Sequence, residues 1–221
     1  MSRRELSWYE KVFLKTARAF AGMNVGYYVD FDEELLRQHG ISGLIKWGRA
    51  AQASFEVIAK TLGNEEAHLV AAFASFFNGC DYCSWGHLFA LNLLHLERTG
   101  KLYPIDEVEV LELMRRGDTA VLQELERRLK ADYPEHLRLL LRQHELRTLE
   151  SGPVSEEDRA LVRSITLFEW VNECSIVVNA PAPPMDRIAR KKDLIARYEA
   201  LRSPLRAESE KQKAAQQHAP A

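Results

Sequence analysis

The chain has 221 residues, 30 basic and 32 acidic side chains, and a formal net charge of -2. That length suits one domain with an appended segment, and the near balance of charge provides no basic footprint for nucleic acid. Three cysteines, an odd number, exclude the disulfide framework of a small secreted module.

Helical periodicity dominates, and no stretch sustains the alternation of a strand. Residues 8–23 read as a first helix, with Tyr9, Val12, Phe13, Thr16 and Phe20 on one side. Glycines between residues 22 and 28 break it. Asp30 and Asp32 offer N-caps for a helix ending near Gly40, and Ser42 for another running toward Thr61. Asn64 can cap the next helix, where Glu65 and Glu66 suit the positive end of the dipole. That helix carries the apolar run 69–77, which is too short to span a bilayer. Asn78-Gly79 is a break signal, so Cys80 stands at the start of a new helix running to about Gly100.

Beyond it, residues 106–130 are charged and helical, interrupted near Gly117. Pro134 opens a helix ending around Gly152, and Ser155-Glu156-Glu157-Asp158 caps a long one. Leu167, Val171, Cys174 and Val178 form an apolar stripe on it, where Cys174 reads as an inert core thiol. Prolines 181, 183 and 184 stop that helix. Residues 186–202 form a basic amphipathic helix whose arginines and lysines read as a solvated face. Residues 203–221 have few large apolar side chains and read as a flexible tail. Arg3-Arg4 lacks the apolar region of an export signal behind it, so a cytoplasmic location without membrane association is expected.

The chemistry concentrates at Cys80-Asp81-Tyr82-Cys83-Ser84-Trp85-Gly86-His87. On a helix Cys83 neighbours both Cys80 and His87. A thiol reacts as thiolate, and a helix N-terminus favours that anion, whereas Asp81 opposes it. A neighbouring imidazole can take the thiol proton and return it to a leaving group. The same side chains with His68 would also make a zinc set, Cys80, Cys83, His87 and His68. Tyr82, Trp85 and Phe89 read as core or subunit-interface residues, and His95 as surface or interface.

Phe77-Asn78-Gly79-Cys80-Asp81-Tyr82-Cys83 followed by His87 resembles the signature of the alkylhydroperoxidase D / carboxymuconolactone decarboxylase family. Phe168-Glu169-Trp170-Val171-Asn172 is similar to a later helix of that family. The resemblance implies an all-α multi-helix bundle of the alkylhydroperoxidase D-like type with additional N-terminal helices. Residues 1–54 would form a helical extension packed on the core, 55–180 the core, 181–202 a C-terminal helix and 203–221 the tail. It implies a thiol-dependent antioxidant oxidoreductase that reduces peroxides or exchanges disulfides. No cofactor would be bound, an external dithiol would be the reductant, and the chain would assemble as a trimer or hexamer.

Carried over by position, Cys83 attacks the peroxide, Cys80 forms the disulfide with it, and His87 belongs to the proton relay. The sequence departs from the pattern at His68, where the family has a relay Glu. An imidazole can relay protons, so His68 is expected in that role; read as a plain helix residue, it would be satisfied by Glu65. The family's Arg a few residues later is also missing. The alternatives are a zinc-binding helical protein using the same cluster, a non-catalytic oligomeric scaffold, or a decarboxylase-like relative.

Overall fold

A computed structural model describes residues 4–217 apart from 115, 177, 179 and 180; the side chains of residues 111, 114, 174 and 212–217 also lie outside that description. Among the described residues the chain is all-helical. The elements are α1 (Trp8–Val25), α2 (Asp32–Leu62), α3 (Asn64–Phe77), α4 (Asp81–Thr99), α5 (Glu107–Met114), α6 (Asp118–Leu129), α7 (Pro134–Arg147), α8 (Glu156–Ser175) and α9 (Lys192–Gln217), with a 3₁₀ turn at Arg187–Arg190.

The centre of the molecule is α3. A surface helix is apolar on one stripe only, but Ala67, Leu69, Val70, Ala71 and Phe73 cover the whole circumference of α3 and all are buried. It packs against α2, α4, α7 and α8. Two apolar clusters lie on either side of it. One joins Phe31, Leu35 and Ile58 to Val70, Cys80, Cys83 and Phe168. The other joins Leu69 and Phe73 to Leu88, Leu91 and the α5–α7 helices. The N-terminal segment is therefore part of the core that surrounds the cysteines.

Several boundaries differ from the sequence expectations. The segments on either side of Gly40 run as one kinked element, because Gly40 takes φ 66° between helical neighbours. Gly63, at φ 106°, occupies the cap of α3, which frees the Asn64 side chain for another partner. The Tyr9, Val12 and Phe20 side of α1 faces solvent. The opposite side is drawn inward because Glu10 accepts from Arg4, from the Ser7 backbone and from the Ser7 hydroxyl, and Leu14 packs beneath it. The final helix starts at Lys192 and continues through Pro204 to Gln217. Arg206 holds its middle by pairing with Asp106 and Glu107. The Cys174 side chain falls outside the described residues.

Candidate functional site

The α3–α4 junction places the thiols. Gly79 takes φ 75°, a left-handed conformation that side chains rarely adopt, and the Cys80 N–H donates to Ser75 O across the turn at 2.9 Å. Cys80 is then the N-cap of α4, and its Sγ accepts from the Cys83 N–H at 3.4 Å. This is the helix-start position the Asn78-Gly79 break foretold. Cys80 and Cys83 are both free thiols, and both are buried.

Ser175, near the C-terminus of α8, completes the pair. Its Oγ lies 3.1 Å from each Sγ. The Cys83 thiol bonded to Cys80 outweighs the opposing effect of burial. With further support from Ser175 and the Cys83 backbone N–H, the Cys80 thiol is held down to about 7. Asp81 works against that, as its charge requires. Burial, then donation to Cys80, pushes the Cys83 thiol well up. The pair therefore holds its first charge on Cys80, with Cys83 as the protonated member.

The imidazoles form a second line. His68 Nδ1 and His87 Nδ1 are 2.9 Å apart, and His68 Nε2 lies 3.2 Å from Asp186 Oδ2. Phe55 stacks on the His87 ring and tilts against His68, while Phe168 meets His87 edge-on. Burial, then the proximity of His68, pushes His87 well below its ordinary value, so it is neutral at pH 7. Asp186 is partly buried, but bonds from His68, the Ile188 N–H and Asn64 hold its carboxyl down to about 2.

Cys83 and His87 open onto one cavity of about 590 Å³. Val29, Phe31, Trp47, Phe55, Leu167 and Phe168 form its apolar wall. Cys80 lies behind Cys83 and does not reach it. Helix α2, the segment after α1 and α8 thus wall this cavity together.

The structure brings all four expected site residues, Cys80, Cys83, His87 and His68, into one region. It corrects the expected partners. Glu65 does not satisfy His68, because it is bonded to His95 and Arg98, while Glu66 lies 3.5 Å from His136. His95 is neither at the surface nor at an exposed interface position: it is 2% exposed and bonded at both nitrogens, to Glu65 and to Tyr133. Among the described residues no three His, Cys, Asp or Glu side chains converge to hold a metal ion. The zinc set does not gather because His68 turns to His87 and Asp186 while the thiols turn to Ser175.

Asp186, Ser175 and Phe55 escaped the sequence reading. Asp186 follows a Pro-rich break and precedes a short turn, which marks it as a cap residue but gives no sign of its partner on α3. No family model, curated protein or solved structure matches the chain.

Proposed function

We propose that this chain is a thiol-dependent peroxide reductase of the alkylhydroperoxidase D-like kind. The observation that carries the reading is that Cys83 and the neutral His87 share the wall of an apolar cavity while Cys80 lies directly behind Cys83.

In this mechanism a hydroperoxide enters the cavity and Cys83 passes its proton to His87. The thiolate attacks the terminal peroxide oxygen, the S–O bond forms and the O–O bond breaks. The imidazolium returns the proton to the departing alkoxide, which leaves as an alcohol. Cys80, already biased toward thiolate, attacks the Cys83 sulfenic sulfur. The S–S bond forms, and the hydroxide released takes up a proton as water. An external dithiol then reduces the disulfide by exchange, becoming a disulfide itself. Assembly with further copies of the chain belongs to the same proposal. It is supported by the exposed apolar side of α1 and is tested by light scattering.

The test of the chemistry is a titration of the reduced full-length protein with tert-butyl hydroperoxide while free thiols are counted. Two thiols lost per chain, with a sulfenic acid trapped in Cys80→Ser, is the expected result. All three thiols of the chain still present after excess peroxide would rule the mechanism out.

A further inference from the structure

Asp186 has an obvious local duty. It is the N-cap of the 3₁₀ turn at Arg187–Arg190, its Oδ1 accepting from the Ile188 N–H at 2.7 Å. Its other oxygen does something a cap does not need. Oδ2 reaches across the fold to His68 Nε2, and Asn64 Nδ2 also donates to it at 3.4 Å.

From that contact we infer that Asp186 is a positioning residue: it sets the tautomers of both buried imidazoles and leaves His87 Nε2 as the bare, proton-accepting nitrogen on the cavity. An ionised carboxylate can only accept hydrogen bonds, so His68 must carry its proton on Nε2. In its single-proton form, His68 protonated there has a bare Nδ1. The Nδ1–Nδ1 contact of 2.9 Å then requires His87 to be the donor, with its proton on Nδ1. The His87 nitrogen left for the cavity is Nε2, and it holds no proton. The inference deepens the peroxide reading by naming which atom of His87 takes the Cys83 proton, and it rests on that reading only for the consequence in catalysis. A carboxylate that orients one imidazole through a hydrogen bond is a known way to fix a tautomer. Here the instruction passes through two rings in series.

The substitution Asp186→Asn separates the two duties. Asn caps a helical turn about as well as Asp. Its Oδ1 keeps the Ile188 N–H, so its amide nitrogen is left facing His68. That nitrogen is a donor, so His68 must become the Nδ1–H tautomer and donate to His87. His87 then carries its proton on Nε2 and cannot accept another from Cys83. Asp186→Glu keeps a carboxylate and serves as the conservative rescue.

The test is to record ring 15N shifts of His68 and His87 in the reduced full-length protein, alongside the rate of thiol loss to tert-butyl hydroperoxide. In wild type His68 is expected to be protonated on Nε2 and His87 on Nδ1. In Asp186→Asn both are expected to reverse, with thiol loss slowed roughly 10²–10⁴-fold, the weight of a general base. Asp186→Glu is expected to restore the wild-type tautomers and most of the rate. Three results would overturn the inference: a wild-type His87 protonated on Nε2, a His68 protonated on both nitrogens, or an Asp186→Asn protein with unaltered shifts or unaltered rate. If wild type loses no thiols at all, the peroxide reading falls, and the ring shifts still decide the role of Asp186.

Discussion

Helix α3 begins with two acids and a histidine that enter different hydrogen-bonded clusters. Glu65 and Glu66 face a closed group. Glu65 binds Arg98 and His95, His95 binds Tyr133 at 3.0 Å, and Glu66 approaches His136, which is bonded to Tyr103 at 3.0 Å. His68 joins the other group, with His87, Asp186 and, nearby, the thiols. Both are buried carboxylate–imidazole arrangements, and both hold a carboxyl down to about 2, Glu65 in one and Asp186 in the other. They differ in how their chains end. In the first, each His ring nitrogen already meets a carboxylate or a phenol, so the cluster is saturated and serves as a clamp between α3, α4 and α7. In the second, the chain ends at a histidine on a cavity wall beside a thiol. Ionisable residues at close quarters are not by themselves a site; an unfilled acceptor next to a nucleophile is.

Substitutions can break that contrast. The largest effect is expected for Cys83→Ser, which should abolish peroxide-driven thiol loss while leaving the fold, followed by circular dichroism, unchanged. His68→Leu should come next. It disconnects His87 from Asp186 and should slow thiol loss roughly 10²–10⁴-fold. His95→Leu is the matched change in the closed cluster. It leaves Glu65 and Tyr133 each short of a partner and should cost about 1–3 kcal/mol in urea unfolding, with the peroxide rate retained. If His95→Leu slowed the reaction as much as His68→Leu, the two clusters would not be functionally distinct.

Smaller effects sharpen the thiol side. The folded Cys80 thiol sits below its ordinary value, so its anion is present above about pH 7 and lost as the pH falls through it. Thiolate-dependent disulfide formation should therefore rise from pH 6 to pH 8 in stopped-flow measurements. Ser175→Ala removes a bond that helps lower that value, and should move the rise upward and slow the pH 7 rate by up to roughly tenfold, the weight of one pKa unit. Acid should separate the regions least. Both Glu65 and Asp186 are depressed below their ordinary values of 4.5 and 3.8. Their stabilising contributions are present above those values and fade together as pH falls toward about 2.

The all-helical class and the location of the thiols were legible in the sequence because their causes are local. A 3.6-residue period announces each helix, and Asn78-Gly79 announces the turn that makes Cys80 a cap. His87 was legible for the same reason, being one turn from Cys83. The partner of His68 was not. Glu65 was the neighbour that helical spacing offered, and Asp186, 118 residues away, was the one the packing supplied. Ser175 was hidden likewise, since one serine near the end of an apolar stripe carries no signal of the sulfurs it will meet. The inward turn of His95 depended on Tyr133, which lies across the fold. The solvent-facing side of α1 went the other way, because Arg4 and Ser7 captured Glu10 and turned the helix.

Gly86 sits inside the motif, between Cys83 and His87. Its carbonyl accepts from the Met185 N–H at 3.1 Å, and a Cβ placed on it would come within 2.7 Å of the Met185 side chain. The residue beside Asp186 is thus buckled onto the helix that carries the cysteines. Order of synthesis follows from this. A ribosome that has released residues 1–180 has delivered both of these thiols and both histidines, but not the carboxylate that meets His68. The distant segment must dock before the His68–Asp186 contact forms, and closing so long a loop is among the slower and more entropically costly events of folding. The nascent chain would therefore carry its cysteines and paired histidines without the Asp186 contact until its C-terminal part is in place.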